Sequence, residues 1–238
     1  MNANTFSIVG RGADGTFGGA VSSRVLAVGS RCLFVRAETA AVASQAYIHP
    51  YLGEDTLERM AGGASAEEAV AAGLAADDGR EWRQVIAIGA EGPPAGHTGE
   101  ETDPWHGHLL GTDCAAAGNL LVGEPTIAAM VETFEASPEL PLPERLVKAL
   151  AAGQAAGGDR RGKQSAAVRV LADASAPWVD LRVDDHEDPV AELGRLYELA
   201  LPDLDRARRI ASTREPIPVE DLILRREQVR QALTEQGR

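Results

Sequence analysis

Residues 153–166 read G-Q-A-A-G-G-D-R-R-G-K-Q-S-A, and the direction of the chain through them decides the fold. Before this stretch, Leu146, Val147 and Leu150 recur at helical spacing behind Pro143, a residue suited to the first turn of a helix. After it, residues 167–171 have the composition of a strand. Gly157 and Gly158 therefore predict a helix C-terminus with positive φ, and Asp159 a carboxylate folded back onto nearby N–H groups. The stretch also satisfies G-x-x-x-x-G-K from Gly157 to Lys163, the body of a phosphate-binding loop. That loop needs a strand before it, a helix after it and a hydroxyl residue after the lysine. Here the order is reversed and Gln164 follows, so the loop stands at a helix C-terminus, where the dipole repels phosphate.

The neighbouring segments come in pairs. Residues 5–9 and 17–22 flank turn chemistry at Gly12 to Gly15, and residues 33–36 and 40–45 form a second strand pair. A helix around residues 56–60 and another opened by a Ser65/Glu68 capping box follow. Strand character returns at residues 85–88, 95–97 and 114–117. Next comes a helix with Ile127, Met130, Val131 and Phe134 on one face, and then the helix that ends at the Gly157 turn. After strands at 168–171 and 179–183, Asp188 and Pro189 are N-cap and N1 of a helix with Val190, Leu193, Leu196 and Tyr197 on one face. Hairpins and helix pairs each bury one apolar side, so the expected class is α+β: antiparallel sheets packed between helical layers.

Pro216 and Pro218 isolate a last segment, 219–236, in which Leu222, Val229 and Leu233 form a heptad-like stripe. The expected organisation is a sandwich domain over 1–200 and a helical extension over 201–238. The extension either docks on the body, the favoured reading, or pairs subunits into a homo-oligomer.

The 238 residues carry a formal net charge of -13, with a pI near 4.8. That balance repels nucleic-acid phosphate and anionic membranes and leaves a small molecule as the expected partner. No signal peptide or membrane span is apparent, and Cys32 and Cys114 suggest neither a disulfide framework nor a zinc ribbon. A cytoplasmic protein without cofactor is the expectation.

Several separated segments carry a family resemblance: T-F-S-I-V at 5–9, S-R-V-L-A-V-G at 23–29, Q-A-Y-I-H-P-Y-L-G at 45–53, R-E-W-R-Q-V at 80–85, A-A-G-N at 116–119, the Gly153 loop, and D-L-R-V-D-D-H at 180–186. The chain resembles the bacterial and archaeal domain of unknown function 1028, which is similar in fold to the N-terminal-nucleophile hydrolases. The resemblance implies a four-layer αββα sandwich, with no activity assigned to the family; the expected function is hydrolysis of a small-molecule amide, and the alternative is a non-catalytic ligand-binding or structural protein on the same fold.

In that mechanism a Thr, Ser or Cys stands first on the mature chain and its own α-amine activates the hydroxyl. Thr5 holds the corresponding place, yet Met1-Asn2-Ala3-Asn4 precede it, and a nitrogen acylated by Asn4 is no base. Thr5 is thus either exposed by cleavage or simply a strand-edge threonine. Asn119 offers an N–H to an oxyanion or makes an ordinary Gly-Asn turn, and Asp159 is the third catalytic candidate. The substrate-binding candidates are Ser23, Arg24, Gln45, Arg161, Gln164 and Ser165. Arg24 and Arg161 are the preferred pair for a carboxylate, ahead of Arg80 and Arg83. His106, His108 and residues 184–186 are metal-type ligands in no defined geometry, and no metal is expected.

Overall fold

The computed structural model describes residues 2–3, 5–213 and 218–236. In chain order the first half comprises β1 (Asn2–Ala3), β2 (Thr5–Arg11), β3 (Phe17–Ser23), a short α1 (Gly29–Cys32), β4 (Leu33–Arg36), β5 (Ala40–Tyr47), α2 (Leu52–Ala61) and α3 (Ala66–Ala75). A 3-10 turn at Arg80–Trp82 then leads to β6 (Arg83–Gly89), β7 (Ala95–Thr98), β8 (Gly107–Leu110) and β9 (Cys114–Gly118). The remainder is α4 (Pro125–Glu135), α5 (Leu142–Ala155), β10 (Ser165–Leu171), β11 (Val179–Val183), α6 (Pro189–Thr213) and α7 (Val219–Gln236). The fold is mixed α+β, and every paired strand is antiparallel, as the paired pattern of the sequence requires.

Local chemistry fixes the ends of several elements. Ser65 accepts the Glu68 N–H while the Glu68 carboxylate accepts the Ser65 N–H, a reciprocal box at the start of α3 that is worth about 1 kcal/mol. Asp188 accepts from the Ala191 backbone at the start of α6, ahead of Pro189. Gly157 and Gly158, with φ of 133° and 62°, follow the last turn of α5, and the chain then enters β10. This helix-then-strand order is what excludes the phosphate-loop reading.

One sheet runs β11-β10-β3-β2-β9-β8, with β2 in its interior. In the other, β5 is flanked by β6 and β7 on one side, and β1 and β4 both pair with its opposite side. Alternation along the strands distributes side chains among three cores. Val9, Val21, Ala43, Ile86 and Ala117 meet between the sheets. Phe6, Ile8, Val168 and Val170 point the other way, against α4, α5 and α6. Val42, Val85 and Ala87 pack on α2 and α3. On α4 the four residues picked out by spacing are all nearly inaccessible. Burial worth about 1.5–3 kcal/mol for each such side chain, rather than intrinsic propensity, holds this helix in place.

Local patterning left some elements unseen. Asn2 and Ala3 pair with Tyr47 and Ala46, and β8 pairs with β9; both strands are short and one is glycine-led, so neither has a readable period. The docked reading of the C-terminal helix is not what the structure contains: the described side chains of α7 are exposed, Leu222 and Val229 at about half of their surface. The third residue of that stripe, Leu233, lies outside the described side chains. α6 runs unbroken across position 200, where the extension was expected to begin. Among the described residues no helix is long and apolar enough to cross a membrane.

Candidate functional site

The apolar seam between the sheets turns polar at one end. Thr5 stands opposite Ser23 and Ser23 opposite Ser165 in register, so three hydroxyl residues form one row across β2, β3 and β10. Thr5 shares its face with Ser7 and Val9, which places the row on the inward side of the sheet. Thr5 Oγ1 donates to Ser23 Oγ at 3.2 Å. From the facing sheet, Gln45 and Gln84 point inward on the face of Ala43 and Ile86, and Asn119 continues the inward face of Ala115 and Ala117 just past β9. All of these polar residues are buried.

Gln84 organises them. The Gly107 and Gly118 carbonyls only accept, so the group that meets them, at 3.0 and 2.9 Å, is the Gln84 NH₂, which also reaches Thr98 Oγ1 at 3.0 Å. Its Oε1 is therefore turned toward Gln45 Nε2 and Asn119 Nδ2, both at 2.8 Å. Gln45 Oε1 in turn accepts the Ser7 hydroxyl at 2.7 Å, and Gln45 Nε2 lies 3.4 Å from the Thr5 carbonyl. Asn119 Oδ1 is buried with no donor among the described residues. Leaving such an acceptor unpaired costs about 1–3 kcal/mol. Ala46 and Leu120, the residues directly after Gln45 and Asn119, have φ of 67° and 54°. Left-handed backbone at non-glycine residues is costly and concentrates at functional sites, here beside both amides that Gln84 receives.

A second shell of contacts closes this end from outside. The Asp159 carboxylate receives the backbone N–H of Arg24 at 3.2 Å and of Arg161 at 2.9 Å. It also receives Arg161 Nε and Nη2 at 3.1 and 2.6 Å. The Asx-turn thus forms, but its four donors fill the acceptor positions of a side chain that is 1% exposed. Asp159 is thus held as the anchor of the loop by these four donors, rather than facing the hydroxyl row. Arg161 is spent on Asp159, while Arg24 Nη1 reaches Gln164 Oε1 at 3.1 Å, so the two arginines do not converge as a carboxylate clamp.

The remaining candidates have equally definite places. The Asn119 N–H donates to the Thr5 carbonyl at 3.0 Å and is not available to an oxyanion. Gln164 Nε2 donates to Asp185, and its backbone ties Ser23 to His186. Ser165 Oγ accepts from Val28 N and donates to the Val25 carbonyl, bracing the chain after β3. Arg83 pairs with Asp77, and Arg80 lies beside Glu81. The structure therefore gathers Thr5, Ser23, Gln45, Asn119 and Ser165 into the seam and places Arg24, Asp159, Arg161 and Gln164 in the loop that covers it. Gln84 and Ser7 belong to the cluster although spacing does not single them out; alternation within residues 84–88, with a glutamine on the inward face of a buried strand, was the available signal.

His106 Nδ1 lies 2.7 Å from both oxygens of Thr102, and His108 Nδ1 lies 2.9 Å from Thr98 Oγ1. Burial, and then the charge of His97, push the His108 pKa below its ordinary value. Among the described residues no group of three or more His, Cys, Asp or Glu is placed to hold a metal ion. Burial pushes both cysteine thiols up to about 12, which keeps them protonated and poorly nucleophilic. Three open clefts of about 430, 520 and 450 Å³ lie toward the far ends of the same strands, around Glu38, and none is lined by Thr5, Ser23, Asn119 or Ser165.

Two antiparallel sheets with a polar seam at one end, helices outside, and a glycine-rich loop closing the seam define the class as a mixed α+β protein. The chain belongs to the family of unknown function DUF1028, whose model matches residues 5–193. A solved structure from Silicibacter pomeroyi, described by the same family model, is 34% identical. It superposes with a TM-score of 0.78 over 86% of this chain and 94% of its own. The ancestral beta-subunit Anbu of Yersinia bercovieri aligns over 90% of this chain and 99% of its own at 12% identity and a TM-score of 0.40, too loosely to argue from. No curated protein matches the chain in sequence.

Proposed function

We propose that the chain is a hydrolase of a small-molecule amide, built as a four-layer αββα sandwich of the N-terminal-nucleophile type, with Thr5 as a masked nucleophile. The observation that carries this reading is the position of Thr5. It opens an interior strand, and its hydroxyl lies in a row with Ser23 and Ser165 beside three converging amide side chains. The hydroxyl it donates to is that of Ser23, and the Asp159 carboxylate faces the donors of its own loop. The base that completes the site is the α-amine of Thr5 itself, released when the Asn4–Thr5 bond is hydrolysed. Asn4 lies outside the described residues, while Asn2 and Ala3 ahead of it are paired with β5.

One measurement separates the outcomes. Intact mass gives the first residue of the purified protein, and a panel of small amides is then assayed with the full chain, with a chain beginning at Thr5, and with that chain carrying Thr5→Ala. The reading expects hydrolysis from the Thr5-first chain alone. Robust turnover by protein that retains residues 1–4 overturns it.

A second reading, a non-catalytic ligand-binding or structural protein on the same sandwich, is favoured by the complete burial of Thr5 and Asn119. Under it, the Thr5-first chain hydrolyses nothing in the panel.

A further inference from the structure

We propose that the cleft beside β4 is a binding site for a small monocarboxylate, held through Arg169. This site stands apart from the Thr5 seam and does not rest on the hydrolase reading. β4 is the border strand of its sheet and lies over β3 and β10 of the other. Arg169 is on the face of β10 that it shares with Ala167 and Leu171, directed between the sheets. Because the covering sheet ends at β4, that face opens into a cleft of about 430 Å³, a volume within the range of small-molecule sites.

Arg169 is in an unusual position for a cation on this inward face. Its Nε is buried and has no hydrogen-bond partner among the described residues; the nearest carboxylate oxygen, on Asp180, is 3.8 Å away. That separation is too long for a hydrogen bond. Arg36, the other guanidinium lining the cleft, forks onto Glu58 and lies near Glu54. Arg169 thus keeps a long ion pair with Asp180 and a partly exposed guanidinium, with no hydrogen bond to its Nε among the described residues. A carboxylate offers two coplanar oxygens to the guanidinium fork, the pairing that supplies both strength and direction.

The rest of the lining narrows the class. Glu38, Glu54 and Asp173 border the same cleft, so a second negative charge on the ligand meets repulsion. A dianionic phosphate is disfavoured on that account. Leu33, Val35 and Leu171 supply a short apolar wall beside Arg169, which suits a ligand body of a few carbons. The arrangement fits one carboxylate on a compact, otherwise neutral molecule.

The test is titration of the full chain with sodium butyrate, its neutral isostere butyramide, and inorganic phosphate, against sodium chloride at equal ionic strength, followed by calorimetry and thermal unfolding. Butyrate should bind saturably and raise the unfolding temperature, while butyramide and phosphate should not. Arg169→Gln should weaken butyrate binding by about tenfold or more, the loss expected for one charge-assisted contact. If that variant does not fold, Arg169→Lys, which keeps the charge but not the fork, should still weaken binding. Butyrate indistinguishable from chloride, butyramide binding as tightly as butyrate, or unchanged affinity in the folded variant would each overturn the proposal.

Discussion

Gln84 Oε1 receives Asn119 Nδ2 at 2.8 Å across the seam between the sheets, 35 residues apart in sequence, and so fixes which way both amides face. Replacing Gln84 with Leu removes the acceptor of Gln45 and Asn119 and the donor to Gly107 and Gly118 together. Several buried polar groups are then orphaned, and the expected loss is about 3 kcal/mol or more. Urea unfolding measures it; a midpoint within error of the parent would show that the network contributes little.

Asp159 should behave as a structural anchor. In Asp159→Asn, one oxygen that accepts from Arg24 or Arg161 becomes an NH₂ facing N–H groups, and the pairing with Arg161 loses its charge. The expected cost is at least about 2 kcal/mol. A variant with parent-like stability but altered chemistry would return Asp159 to the list of catalytic groups.

Gly158 has φ of 62°, and a Cβ built there would lie 2.7 Å from Gln154 Nε2. Gly158→Val adds backbone strain of about 1–2 kcal/mol or more, and its side chain must also displace the end of the Gln154 side chain from its place against the turn. Gly15, with φ of 78° and open space around it, is the control that meets strain without clash. Thermal unfolding of the two valine variants should rank Gly158→Val as the more damaging; the reverse order would contradict the turn geometry.

His108 predicts a pH dependence with a definite sign. Burial first, and His97 second, hold its folded pKa below the ordinary value. The unfolded chain therefore binds more protons than the folded one as pH falls through about 6.5. The contribution of neutral His108 to stability is fully present above that pH and is lost below it, down to the depressed folded pKa. Unfolding free energies at pH 7.5 and 5.5 should fall more for the parent than for His108→Gln. Equal slopes would show that His108 does not titrate differently in the two states.

Nearest neighbours along the chain are enough to specify the local elements. Ser65 and Glu68 are three residues apart, Asp188 precedes a proline, and Gly157 and Gly158 follow a helical stripe; each arrangement specifies its own local geometry, and the α+β class follows from the succession of those elements. The seam was only partly legible. Thr5, Ser23, Gln45, Asn119 and Ser165 stand in segments that the family resemblance marks, but their grouping depends on the register of β2, β3 and β10 and on the approach of a second sheet. The same packing decided that Asp159 is surrounded by donors, that Arg24 and Arg161 diverge, and that Gln84 and Gln45 tie the two sheets together. Hydrogen-bond saturation and burial depend on groups dozens of residues away. Local spacing carries no record of them, so only the tertiary structure could assign those roles.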